Sequence, residues 1–328
     1  MATKSEADQA LAYHQNILFQ SIPDLTKISV VESKPHSGDF LLEAGVIDLR
    51  TANQNLGPVR IPTELQIPGS SGHFPNKTIR VRVVETGELK RLSGVFTSRT
   101  RPAQGGDSVG RAGGPDTGTL GSTVQLKVGG NSEDYFLSCW HVLVGGSGRL
   151  GDSIIQPGPG DTGLSPGDDI GELYWYLLDS EFDVAIAKTS KPPSLHLNVG
   201  CRCTSCSNST PAAPILNSVV AKCGRTSGLT LGLILSDNAT IRLPGYPTGL
   251  HLFTHQIETT AMAWPADSGS ILFNYDNNTP VGLLLGGGDS KTYHNNLDSL
   301  FSHSFAARIE TYPDGSSDSL PGVDFVSL

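Results

Sequence analysis

The chain has 328 residues, 38 glycines, 21 prolines and a formal net charge of −9, with only 17% charged residues. This length suits two domains or one large β unit. The acidic balance and the absence of any Lys/Arg-rich stretch argue against a nucleic-acid partner, because phosphate contacts need clustered cations. No apolar run is long enough to predict a membrane span.

The first residues, Met1 to Asp8, carry early acids and no apolar core, so they do not read as a secretory signal and the expectation is a cytoplasmic protein. Glu6–Phe19 has helical spacing through Ala7, Leu11, His14 and Leu18. Strands are expected at Lys27–Val31, Phe40–Ile47 and Thr78–Val84, making residues 1–98 a small α+β domain. Residues 99–117, rich in Gly, Pro and Ser, lack apolar periodicity and read as a linker. From Gly118 onward short apolar runs alternate with turn signals: Val124–Val128, Tyr135–Leu137, Val219–Ala221, Leu229–Leu235, Leu250–Phe253, Ile271–Phe273 and Val281–Leu285. That is an all-β pattern. Asp298–Thr311 has helical spacing again, and an acidic, Ser-rich tail starts at Tyr312.

Three short segments carry chemistry. Phe136-Leu-Ser-Cys-Trp-His141 is an apolar strand ending in histidine, and Phe182-Asp183-Val-Ala-Ile-Ala187 sets an acid at the head of an apolar strand. Pro265-Ala-Asp-Ser-Gly-Ser270 places Ser268 in a sharp turn before Ile271. A serine hydroxyl is a poor nucleophile at neutral pH. It needs an imidazole base, and the imidazole needs an acid to fix its tautomer and stabilise its charged form. Each segment alone has an ordinary structural explanation; the order His, Asp, Ser in these contexts is much harder to obtain by chance.

From Gly118 to the C-terminus the chain resembles the trypsin/chymotrypsin-like serine proteases, and within them the intracellular branch typified by the plant narrow-leaf-type protease and its bacterial relatives. The phrases Arg101-Pro-Ala-Gln-Gly-Gly106, Gly118-Thr-Leu-Gly121, Gly151-Asp-Ser-Ile-Ile-Gln-Pro-Gly-Pro159, Gly224-Arg-Thr-Ser-Gly-Leu-Thr230 and Ala266-Asp-Ser-Gly-Ser270 carry the resemblance. It implies a mainly β fold: a chymotrypsin-like double six-stranded β-barrel over 118–328, with a C-terminal helix packed on the second barrel. It implies a serine endopeptidase with His141 as base and acid, Asp183 as its orienting acid and Ser268 as nucleophile, acting through an acyl-enzyme without cofactor or metal. The oxyanion is expected at the backbone N–H groups of Ala266 and Ser268. A substrate backbone is expected along Leu284, Leu285, Gly286 and Gly287, with Met262 on the floor of the primary pocket. A methionine there favours neutral side chains, because a substrate charge buried against a thioether goes unpaired.

Two departures from the family are visible. Secreted relatives pair the acid before the nucleophile with a newly cut N-terminus. Here that acid is Asp267, no Ile-Val-Gly-Gly activation sequence precedes Gly118, and an internal partner is expected. Ala266 stands where the family has glycine, at a position that tends to φ > 0; a Cβ there costs about 1–2 kcal/mol and predicts low basal activity. Cys139, Cys201, Cys203, Cys206 and Cys223 make an odd number, which suggests free thiols in a reducing compartment. The irregular spacing of the last four favours a small-residue loop over a zinc site. Two other functions fit the same residues: a pseudo-protease binding peptides in the cleft, and an oligomeric scaffold whose N-terminal domain meets copies of itself or a regulatory partner.

Overall fold

The computed structural model describes residues 1–22, 25–46, 61–68, 77–85, 96–128, 131–189, 210–312 and 314–328. The N-terminal helix α1 (Lys4–Ser21) starts at a capping box, in which the Thr3 side chain accepts from the Glu6 N–H while Glu6 reaches back to the Thr3 N–H. Among the described residues no helix is long and apolar enough to cross a membrane.

The second half forms a closed barrel from β12 (Val219–Gly224), β13 (Gly228–Tyr246), β14 (Gly249–Thr260), β15 (Ile271–Asn274), β16 (Pro280–Gly287) and β17 (Lys291–Asn296). The order is β12-β15-β16-β17-β14-β13, and β13 pairs back onto β12, so no edge remains on that side. The first barrel contains β5 (Ser108–Arg111), β6 (Gly118–Thr119), β7 (Ser122–Val128), β8 (Asn131–Ser138), β9 (Ser153–Ile155), β10 (Asp169–Leu178) and β11 (Asp183–Thr189). Its order is β7-β8-β11-β10-β9-β5-β6. Because β6 leads straight into β7, the two ends of that order meet and the sheet curls on itself. This is the chymotrypsin-like double barrel expected from the sequence.

The segment before it does not stand apart. Strands β1 (Leu25–Glu32), β2 (Phe40–Val46), β3 (Glu64–Gln66) and β4 (Thr78–Glu85) continue the second barrel's sheet, with Ile28 of β1 opposite Thr240 of β13. Helix α1 covers them with Ala7, Ala10, Leu11, Leu18 and Phe19, and hydrogen-bonds to β13 through Gln15–Thr240 and Asp8–Asn238. The unusual length of β13 gives the extra strands an edge to join. Beneath that junction Lys27 is fully buried, 2.7 Å from Glu43 and 2.6 Å from Glu258, and Lys291 lies 3.0 Å from Glu258.

The linker expectation for 99–117 is corrected: the segment contains β5 and is tied down by polar bonds. Arg99 pairs with Asp168 at 2.8 Å, and the Gly158 N–H donates to Ser108 at 2.9 Å. Side-chain polarity satisfied inside the fold is invisible to apolar periodicity. The C-terminus differs too. Helix α3 (Leu297–Ser302) is short, and the chain continues as β18 (Ser304–Phe305), β19 (Arg308–Thr311), β20 (Ser317–Leu320) and β21 (Val323–Ser327). The tail's alternation buries Val323 and Phe325, and β21 pairs with β7 of the first barrel. There Phe325 meets Trp175 edge-on at 5.8 Å.

Candidate active site

His141 sits in the one-turn helix α2 (Trp140–Leu143), which follows β8 directly; Asp183 opens β11, the neighbour of β8. That adjacency brings acid and imidazole together. The His141 Nδ1–Asp183 Oδ2 distance is 2.5 Å, and the His141 backbone N–H donates to Asp183 Oδ1 at 3.1 Å. Asp183 is fully buried. Burial alone would raise its carboxyl, but the His141 charge, the His141 hydrogen bond and the Tyr246 hydroxyl hold it below the usual carboxylate range. Asn295 of β17 fixes the backbone here, its Oδ1 accepting from the Asp183 N–H at 3.0 Å.

Ser268 lies on the turn before β15, in the second barrel. It shares with His141 a cleft of about 700 Å³ that is also lined by Leu243, Tyr246, Trp264, Leu285 and Asp289. The Ser268 hydroxyl donates to the Leu285 carbonyl at 3.2 Å. Ala266 has φ 69°, in the left-handed region. Among the described residues the N–H groups of Ala266 and Ser268 donate to no protein acceptor, while the neighbouring Asp267 and Gly269 N–H groups bond to Trp264 and Leu284 carbonyls. The turn's carbonyls are pinned from behind: Thr226 donates to Pro265 O at 2.6 Å and Thr119 to Ala266 O at 2.8 Å. Gly269 has φ 97°, and a Cβ on it would collide with Ser138 and the Thr119 carbonyl, so only glycine follows the serine.

Asp267 has an internal partner. Its Oδ2 lies 2.7 Å from Lys222 Nζ and accepts from Ser227 Oγ at 2.6 Å and the Trp264 N–H at 2.9 Å; Oδ1 accepts from the Thr226 and Ser227 N–H groups. Both side chains are fully buried. Burial pulls the Lys222 ammonium below the ordinary lysine range, against the opposing pull of Asp267. Gly224 is needed beside this pair, because a Cβ there would overlap the Asp267 carboxylate.

Leu284, Leu285, Gly286 and Gly287 all line the cleft, together with Gly288. Met262 does not. It is 1% exposed, inside the barrel with Val220, Ile234, Ile257, Leu272 and Val281, so the pocket-floor expectation is corrected. Its neighbours Ala261 and Ala263 point the other way and line the cleft, as the alternation of an extended chain dictates. Sequence reasoning missed Lys222, Tyr246, Asn295 and the two threonines. Only Lys222 left a signal, as a lone charge in the apolar run Val219–Cys223 that requires a partner.

Cys139 is a buried thiol donating to the Leu284 carbonyl, and Cys223 is disulfide-bonded. The free-thiol expectation therefore fails at Cys223. Cys201, Cys203 and Cys206 lie outside the described residues. The donor atoms of Cys139, His141 and Asp183 cluster within 4.8 Å. The direct 2.5 Å bond between the last two leaves no room for an ion between them.

No protein-family model matches the chain, and no curated protein matches it in sequence. Solved structures do match. Thermobifida fusca protease A has a TM-score of 0.46 at 18% identity, over 69% of this chain and 98% of its own. Nocardiopsis protease gives 0.45 at 16%, over 61% and 94%. Cellulomonas bogoriensis chymotrypsin gives 0.43 at 21%, over 61% and 93%. All three TM-scores lie below 0.5 and all three identities below 25%; the reading of individual residues here rests on the geometry of this chain.

Proposed function

We propose that the chain is a serine endopeptidase acting through His141, Asp183 and Ser268. The observation that carries this reading is one cleft wall shared by Ser268 and a buried, Asp183-bonded His141, with two unpartnered N–H groups on the serine's turn. Ser268 swings from the Leu285 carbonyl toward His141 Nε2, which takes its proton as the oxygen attacks the scissile carbonyl. The negative oxygen that forms is received by the Ala266 and Ser268 N–H groups. The imidazolium, held by ionised Asp183, then protonates the leaving amine, and water repeats the sequence to release the acyl group. A substrate main chain pairs along Leu285–Gly287, where glycines let it approach closely. Asp267 already holds Lys222, so the enzyme acts as an intact chain, without a cut to free a new N-terminus.

Ser268 resting on Leu285 also supports a second reading, a peptide-binding pseudo-protease of the same cleft. A fluorophosphonate probe separates the two. Labelling of full-length protein by intact mass, abolished in Ser268→Ala, is the expected result. A well-folded wild type that stays unlabelled refutes the enzyme, and labelling confined to a species cut between residues 99 and 118 refutes the intact-chain mechanism.

A further inference from the structure

Tyr246 reaches the catalytic acid from the opposite barrel. Its hydroxyl donates to Asp183 Oδ2, the same oxygen that binds His141 Nδ1, and lies 3.4 Å from that nitrogen. Tyr246 ends β13 at the tip of the β13–β14 hairpin, opposite Gly249. The residues before it, Leu243, Pro244 and Gly245, line the cleft with it.

The ring does not need the hydroxyl to stay in place. It packs edge-on against Phe253 at 5.2 Å, tilted on His251 at 5.4 Å and parallel to Trp140 at 6.2 Å. Asp183 spans two anchors: Oδ1 is held by the His141 backbone N–H, while Oδ2 carries both the imidazole and the phenol. A carboxylate oxygen with two donors divides its charge between them. The phenol therefore sets how strongly Asp183 holds the imidazole, and it fixes the carboxylate plane in which the imidazole lies.

We propose that Tyr246 is a positioning residue of the triad: a hydroxyl supplied by the substrate-lining hairpin that aligns Asp183 and, through it, His141. This rests on the protease reading for its kinetic consequence but not for its structural one. The test is Tyr246→Phe, which keeps the ring, with Leu250→Ala on the exposed face of the same hairpin as control. In 15N-histidine-labelled protein the His141 Nδ1–H resonance should move downfield in Tyr246→Phe, as Oδ2 gives its whole charge to one donor, and stay put in Leu250→Ala. On peptide substrates kcat should fall about tenfold with KM unchanged, the rate equivalent of one charge-assisted hydrogen bond. If Tyr246→Phe does not fold, 3-fluorotyrosine at 246, a stronger donor on the same ring, should move the resonance upfield. An unmoved resonance overturns the proposal whether or not the wild type turns over. So does a kcat loss matched by a rise in KM. A wild type inert to fluorophosphonate refutes the protease reading and leaves the resonance to decide this one.

Discussion

The two barrels hold their shares of the site by different physics. The first barrel packs aromatic and aliphatic side chains, Tyr135, Trp175 and Ile186 among them, and presents His141 and Asp183 on adjoining elements already bonded to each other. The sheet of the second barrel buries two lysines completely, Lys27 and Lys222. One braces the N-terminal strands against Glu43 and Glu258; the other braces the turn of Ser268 through Asp267. Apolar packing is insensitive to pH and tolerates gradual change, whereas a buried ion pair fails abruptly when one member is lost. His141 and Asp183 thus meet directly on neighbouring elements of one barrel, whereas the turn that carries Ser268 depends on the buried Lys222–Asp267 pair behind it.

The largest way to break this contrast is Lys222→Met. It leaves Asp267 as a buried, unpaired carboxylate, and removing one partner of such a pair costs about 3–5 kcal/mol. Chemical denaturation should show that loss, and fluorophosphonate labelling should collapse even where the protein stays folded. A stable, fully labelled Lys222→Met would mean that the Thr226, Ser227 and Trp264 donors alone hold the turn.

Acid tests the other lysine. Burial alone would raise Glu43, but Lys27, Lys291 and Arg82 bring its carboxyl down to about 2 from 4.5. A carboxyl depressed by folding stabilises the protein above its unfolded pKa, and that contribution is lost as pH falls through the folded value. The window is therefore from about 4.5 down to about 2, and the shift corresponds to about 3 kcal/mol. His294, brought down to about 3 by burial and by Lys222, has the same sign and adds loss below its ordinary 6.5. Urea midpoints against pH should fall over these ranges. Glu43→Gln should be less stable at neutral pH and flatter below 4.5; parallel curves for the two proteins would remove Glu43 from the account.

The smallest effect sharpens the comparison at the turn of Ser268. Ala266 holds φ 69°, and glycine relieves a cost of about 1–2 kcal/mol there. Since the folded turn already adopts this conformation, Ala266→Gly should raise Tm by a few degrees and leave the rate of peptide hydrolysis little changed; a several-fold faster rate would mean that the turn spends much of its time in another conformation. An unchanged Tm would show that the threonine bonds to Pro265 and Ala266 already absorb the strain.

The sequence by itself determined the mainly β fold and picked out His141, Asp183 and Ser268, which the fold brings to one place. Set beside the family it resembles, it also marked Asp267 as an acid in need of an internal partner and Ala266 as a Cβ at a position that tends to φ > 0. Tertiary structure decided the rest. Which lysine answers Asp267, which hydroxyl reaches Asp183 and which barrel the first strands extend all depend on residues far apart in the chain, whose meeting no local periodicity records. Met262 shows the limit most directly. The family resemblance placed it on a pocket floor six residues before Ser268, but in an extended segment the neighbouring alanines took the cleft and turned the methionine into the core.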